Sequence, residues 1–218
     1  MRTTIREIVN RQPRTGSWFD IRAADDAATV RIYDEIGYFG VSAQDLAERI
    51  SKLDVPEITV HINSPGGDVF DGLAIFNALR THPARIVTRV DGLAASIASA
   101  IAQAGDRRVM VSSSQMMIHE AWGICAGPAS DMAEFARVLT QQNKVLAELY
   151  AERSGRKASY WVPLLAAETW LTAEETVAHG LADEVLMPAR QNAKATPSVD
   201  TARALAALDE RSLALLDI

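Results

Sequence analysis

Apolar and polar residues alternate strictly from Glu57 to Asn63, with Ile58, Val60 and Ile62 on one face, and this period of two predicts a half-buried strand. Thr29 to Tyr33 (TVRIY) and Arg85 to Val90 read as further strands, and short strands are expected near Arg108 to Val111 and Gln115 to Ile118. Between them the period lengthens to that of a helix. Ser42 to Leu53 sets Ala43, Leu46, Ala47 and Ile50 on one face. Asp68 to Arg80 carries Val69, Phe70, Leu73, Ile75, Phe76 and Leu79 nearly all round, which predicts a helix buried on most sides. An alanine-rich helix is expected from about Ala95 to Ala104.

The second half is more helical. Ser130 is placed to cap a helix to about Arg153, in which Met132, Phe135, Ala136, Leu139, Leu146, Leu149 and Tyr150 recur at three- and four-residue steps. At about 24 residues it would be twice the usual length. Thr172 and Glu175 have capping-box spacing, and Gly180 is a natural stop for the helix they start. A strand over Ala182 to Leu186 closes the periodic region, and PARQNAKATPSVD after it reads as a polar linker to a leucine- and alanine-rich tail. The expected organisation is an N-terminal segment over residues 1–16, one domain over 17–188, and a linker with a C-terminal tail over 189–218.

Composition narrows the function classes. With 218 residues, 48% hydrophobic and 23% charged, the chain can bury a core without staples. Its one cysteine, Cys125, allows no intramolecular disulfide and no cysteine-based zinc cage. A formal net charge of −6 argues against a nucleic-acid partner, which would require a basic face. Residues 1–16 carry four arginines and no apolar run of signal-peptide length, and the longest apolar stretch, Gly92 to Ala102, is too short to span a bilayer. A cytoplasmic protein without a membrane partner is expected.

Strands separated by helices imply an α/β layer fold, in which sites lie at strand ends and helix starts. Two junctions fit. In Ile62 to Gly72 (INSPGGDVFDG) a strand runs through paired glycines into a helix, which is either a plain turn or a loop whose N–H groups face a ligand and can donate to a developing oxyanion. In Val90 to Ser99 (VDGLAASIAS) Ser96 stands where a helix starts, either as an N-cap or as a nucleophile whose following N–H, that of Ile97, is a second oxyanion donor. A serine nucleophile needs a base. Of the four histidines, His119 ends the apolar run Met116-Met117-Ile118 and so sits at a strand end, whereas His61 lies within a strand, His82 in a turn before Pro83, and His179 in a last helical turn.

SPGG, GLAAS and MIHE, in this order and followed by a long helix, resemble the proteolytic subunits of the Clp protease, the ClpP family of self-compartmentalised serine peptidases. Each motif alone is common; the three together, across about Trp18 to Leu186, carry the resemblance. It implies a crotonase-like α/β fold of repeated β-β-α units with a protruding handle helix. It also implies Ser96 as nucleophile, His119 as base, and Gly67 and Ile97 as oxyanion-hole residues, with no cofactor and no metal. The family's third triad member is commonly an aspartate, and the matching stretch here, ETWLTAE, places Glu168 there. That glutamate, with YDEIG and DVFDG, resembles the ClpP-related head maturation peptidases of tailed phages and prophages, whose partners are capsid or scaffold proteins; the housekeeping branch works instead with an AAA+ unfoldase. The long helix around Met132 to Tyr150 resembles the handle that interlocks two rings, so a homo-oligomer acting on polypeptide substrate is expected. Two other classes share the fold: an acyl-CoA enzyme using carboxylates, against which the Ser96–His119 coincidence argues, and a non-catalytic shell protein.

Overall fold

The computed structural model describes residues 19–24, 26–37 and 42–187; the expectations for residues 1–16 and 189–218 lie outside the described residues. Among the described residues eight strands form one sheet: β1 (Phe19–Ala23), β2 (Ala28–Ile32), β3 (Glu57–Ser64), β4 (Arg85–Ala95), β5 (Arg107–Val111), β6 (Gln115–Ile118), β7 (Thr169–Thr172) and β8 (Glu184–Leu186). Their main order is β1-β2-β3-β4-β5-β8, parallel from β2 onward. The alternation seen in the sequence of β3 is its burial: Ile58, Val60, Ile62 and Ser64 face the core and the residues between them do not. The described residues form six helices: α1 (Ala43–Ser51), α2 (Val69–Arg80), α3 (Ile97–Ala102), α4 (Ala129–Ser154), α5 (Ala158–Ala166) and α6 (Ala173–His179).

The strand β4 positions the site. The periodicity predicts a strand ending at Val90, but β4 continues to Ala95 because its two halves have different neighbours. Val87 to Val90 pair with Arg107 to Met110 of β5, while Leu93 to Ala95 pair with Gln115 to Met117 of β6. β6 then pairs antiparallel with β7, Ile118 opposite Thr169. Because β3, β4 and β6 are mutually parallel along this path, their C-terminal ends emerge together, as the fold rule for α/β sites requires.

Local chemistry sets the helix ends. Ser42 with Asp45 and Thr172 with Glu175 each form the reciprocal capping box, and Gly180 ends α6 at φ +83°. Other expectations are corrected. The cap of α4 is Pro128, not Ser130, whose hydroxyl bonds Asp131 instead. α2 buries only Gly72, Ile75 and Leu79 fully, and Phe70 is 60% exposed, since the helix covers the sheet with one face. The sequence reading also lacks α5, which carries Pro163 inside it, and the four-residue strand β7, whose partner β6 is over 50 residues away in the chain.

At 26 residues α4 divides in two. Up to Gln141 its side chains are exposed or half-buried, with Met132 48% exposed; beyond it Leu146, Ala147, Leu149 and Tyr150 enter the core. At the boundary Gln142 is buried, and Asn143 Oδ1 accepts the Ala121 N–H at 2.7 Å. Near the inner end of α4, buried Arg108 donates to Asp183, Gln103, Gly180 O and Arg153 O, which ties β5 to the chain before β8. Among the described residues no helix is long and apolar enough to cross a membrane, and no group of three or more His, Cys, Asp or Glu is placed to hold a metal ion.

Candidate active site

Three strand ends deliver the expected residues to one place. Ser96 follows β4 and donates its backbone N–H to Met117 O of β6 at 2.9 Å. Two residues further along β6's path comes His119, whose Nε2 lies 2.7 Å from Ser96 Oγ. Ser96 is the N-cap residue of α3 by position, but its side chain makes no capping bond to the helix and instead meets His119. Its backbone adopts φ +55° and ψ −130°, a conformation that costs an L residue about 1–3 kcal/mol and persists only where surrounding structure enforces it. A sharp turn of this kind lifts the hydroxyl out of the sheet end and toward the imidazole.

The glycine loop after β3 meets this turn. Gly66 has φ +97°, and a β-carbon there would lie 2.6 Å from Ser96 Cβ and 2.8 Å from Ala95 O. Gly67, at φ +150°, would set a β-carbon 2.0 Å from Ile36 O. Only glycine fits at either position. The loop is stitched to Ile36 through the Gly66 carbonyl and the Asp68 N–H, so the N–H of Gly67 takes no part in that bridge. The Gly66 N–H is occupied by Ser64 Oγ at 3.1 Å, and Ser64 in turn donates to Asp34 O at 2.6 Å. Ile97 is the first residue of α3, where a helix has no internal acceptor for the N–H. Gly66 thus lies against the Ser96 turn and Ile97 follows the serine, so the N–H groups of Gly67 and Ile97 are the candidates for stabilising negative charge on oxygen.

Glu168 stands beside His119 without bonding it. Leu165 O accepts both the Glu120 N–H (3.1 Å) and the Glu168 N–H (3.2 Å), which holds the two chain segments together one step beyond the Ile118–Thr169 pair. The Glu168 carboxylate accepts from Trp170 Nε1 at 3.4 Å. Among the described residues His119 Nδ1 has no hydrogen-bond partner. Burial pushes the imidazole below its ordinary value, and the charges of Glu168 and Glu120 oppose that shift in part. Burial thus favours the neutral imidazole, the form a proton acceptor needs.

The other histidines are engaged elsewhere: His61 Nδ1 with Asp91 at 2.7 Å, His82 with Leu53 O, and His179 with the Tyr160 hydroxyl. Sequence reasoning missed the contributions of Ser64, Leu165, Ser99 and Tyr150. Ser99 Oγ donates to Ser96 O and meets the Tyr150 hydroxyl. No periodic signal marks such contacts, because each is defined by a partner distant in the chain or by a turn the sequence does not announce.

Comparison with known proteins bears on the whole domain. The family model described as Clp protease matches residues 25–189. The chain is similar to a Bacteroides fragilis protein named ATP-dependent Clp protease proteolytic subunit, 35% identical over 133 residues, 60% of this chain and 64% of that one. It is likewise similar to proteins of the same name from Leuconostoc citreum (36% over 134 residues, 60% of this chain and 67% of the relative) and Streptococcus gordonii (34% over 134 residues, 60% and 68%). The chain spans a little under two thirds of the length of the first of these relatives.

Proposed function

The chain belongs to the Clp protease family, and from that membership we propose that it is a serine endopeptidase in which Ser96 is the nucleophile, His119 the general base and Glu168 the third member of the triad. The observation that carries the reading is the 2.7 Å contact between His119 Nε2 and Ser96 Oγ, within the reach required of a nucleophile and its base. His119 takes the hydroxyl proton as Ser96 Oγ attacks the scissile carbonyl. The oxyanion that forms is met by the N–H groups of Gly67 and Ile97. His119 then protonates the leaving amine, and water activated by the same imidazole releases the acyl group. Glu168 acts by charge: it stabilises the imidazolium that exists only during these steps, which the buried setting would otherwise penalise. No metal or organic cofactor enters the sequence of steps.

The substrate class is unfolded or flexible polypeptide, cleaved inside a homo-oligomer in which the exposed outer half of α4 serves as the handle between subunits. Glu168 in the third position supports a head maturation peptidase that processes capsid or scaffold proteins; the relatives, named ATP-dependent Clp protease proteolytic subunit, support an ATP-dependent setting with an AAA+ unfoldase. The test begins with the purified protein and a fluorophosphonate probe. Wild type is expected to label and to cleave an unfolded polypeptide, and Ser96→Ala to melt normally but do neither. Undiminished labelling of Ser96→Ala would overturn the assignment, and a wild type inert to probe and polypeptide would favour an acyl-CoA enzyme or a shell protein. Cleavage of a co-expressed capsid or scaffold protein without nucleotide, as against cleavage only with an added unfoldase and ATP, separates the two settings.

A further inference from the structure

We infer that Ser99 and Tyr150 are positioning residues: their two hydroxyls hold the Ser96–Ile97 peptide in the one orientation that aims the Ile97 N–H at the oxyanion. The inference rests on the reading of Ile97 as an oxyanion donor and goes beyond it by naming what orients that donor.

The carbonyl of Ser96 and the N–H of Ile97 belong to the same planar peptide and point in opposite directions. Whatever grips the carbonyl therefore sets the direction of the N–H. The grip is needed, because the Ser96 torsions of φ +55° and ψ −130° lie where a serine does not rest unaided. Ser96 O accepts two hydrogen bonds from Ser99, one from its N–H at 3.0 Å and one from its hydroxyl at 2.5 Å. The backbone bond is what any helical first turn offers; the hydroxyl bond is an addition particular to a serine three residues on. Ser99 has one hydroxyl proton and gives it to the carbonyl, so in the 2.8 Å contact between Ser99 Oγ and Tyr150 Oη the tyrosine is the donor.

Both side chains are out of reach of water, Ser99 at 0% and Tyr150 at 1% exposure. Burial raises the Tyr150 phenol to about 12, which keeps its proton in place at any working pH. An alanine and a phenylalanine would fill nearly the same volume without two hydroxyls to satisfy, so packing alone does not account for the pair. Tyr150 comes from the inner half of α4, where its ring packs against Trp161 of α5 with centroids 5.6 Å apart. The long helix thereby reaches the oxyanion donor through two hydrogen bonds.

The experiment measures kcat and KM on a fluorogenic peptide, and the affinity for a peptide boronate whose tetrahedral adduct on Ser96 places an oxygen in the oxyanion position. Tyr150→Phe and Ser99→Ala are each expected to lower kcat about 10-fold, to weaken the boronate by a similar factor, and to leave KM within about twofold. The acid limb of the pH profile should not move, since neither hydroxyl touches His119. The double variant should be no worse than Ser99→Ala alone, because the tyrosine acts only through the serine. Unchanged kcat and boronate affinity in both single variants would overturn the inference, as would losses that follow melting temperature and fall equally on KM. If Tyr150→Phe does not fold, Ser99→Ala, which removes one oxygen atom, decides; failure of both to fold assigns the pair a structural role and overturns the inference. Ser96→Ala assayed alongside separates the two levels, because turnover by that variant refutes the nucleophile itself whatever the hydroxyl pair does.

Discussion

At the scale of single residues, Ser96 combines a strained backbone with an engaged hydroxyl, and these make separable demands. Replacing the side chain removes the proposed nucleophile in every case, but the strain at φ +55° is relieved only by glycine. Ser96→Gly is therefore expected to be more stable than Ser96→Ala by about 1 kcal/mol in urea unfolding, with both inactive; alanine as the more stable of the two would show that the turn is not strained. The electrostatics of His119 carry a second consequence. As the proposed base it acts in its neutral form, and burial lowers its pKa, so the acid limb of kcat/KM is expected below the ordinary histidine value of about 6.5. The Glu168 charge opposes that lowering. In Glu168→Gln the limb should move to still lower pH while the plateau rate falls, and a limb that moves up or stays would separate Glu168 from the imidazole.

At the scale of elements, the site is made where three parallel strands stop, and the loop after β3 has the least freedom of its parts. It must pass between Ile36 on one side and the Ser96 turn on the other, with the backbone of Gly67 against a carbonyl oxygen. Gly67→Ala is expected to cost about 1–3 kcal/mol of stability through forced displacement. It should also cost roughly 100-fold in kcat through the misplaced N–H, read in one preparation by denaturant melt and peptide turnover. Full activity would exclude the loop from oxyanion stabilisation. α4 shows the opposite economy: its inner half is held by core packing and its outer half leaves Met132 in solvent.

At the scale of the whole molecule, that outer half bears on assembly. Phe135 is a poor site at which to test it, because its ring covers Gly123 and a charge there would also dislodge the loop after His119. Met132, about half exposed, is the better site. Met132→Asp is expected to leave the secondary structure unchanged but to reduce the particle mass seen by native mass spectrometry. Probe labelling should fall with it, since the loop from Glu120 to Pro128 joins His119 to this helix. Loss of assembly with labelling intact would refute that coupling, and unchanged mass would show that this face meets no partner.

What the sequence determined by itself is whatever depends on near neighbours in the chain. The alternation of β3, the capping box at Thr172, the stop at Gly180, and the serine, histidine and glycines of SPGG, GLAAS and MIHE at element ends are all written within a few residues. The periodicity could not show that β4 runs on to Ala95, because the partner that extends it, β6, lies about 20 residues away. Nor could it show β7, the exposed face of α2, or the place of Glu168, whose distance from His119 is set by β6–β7 pairing and a shared bond to Leu165. The two hydroxyls behind Ser96 were the least legible. A serine among alanines and a tyrosine in a helical stripe each look like ordinary packing until the fold brings residues 51 apart to 2.8 Å. Local pattern chooses the elements, whereas pairing and burial, which depend on the whole chain, decide which side chains meet.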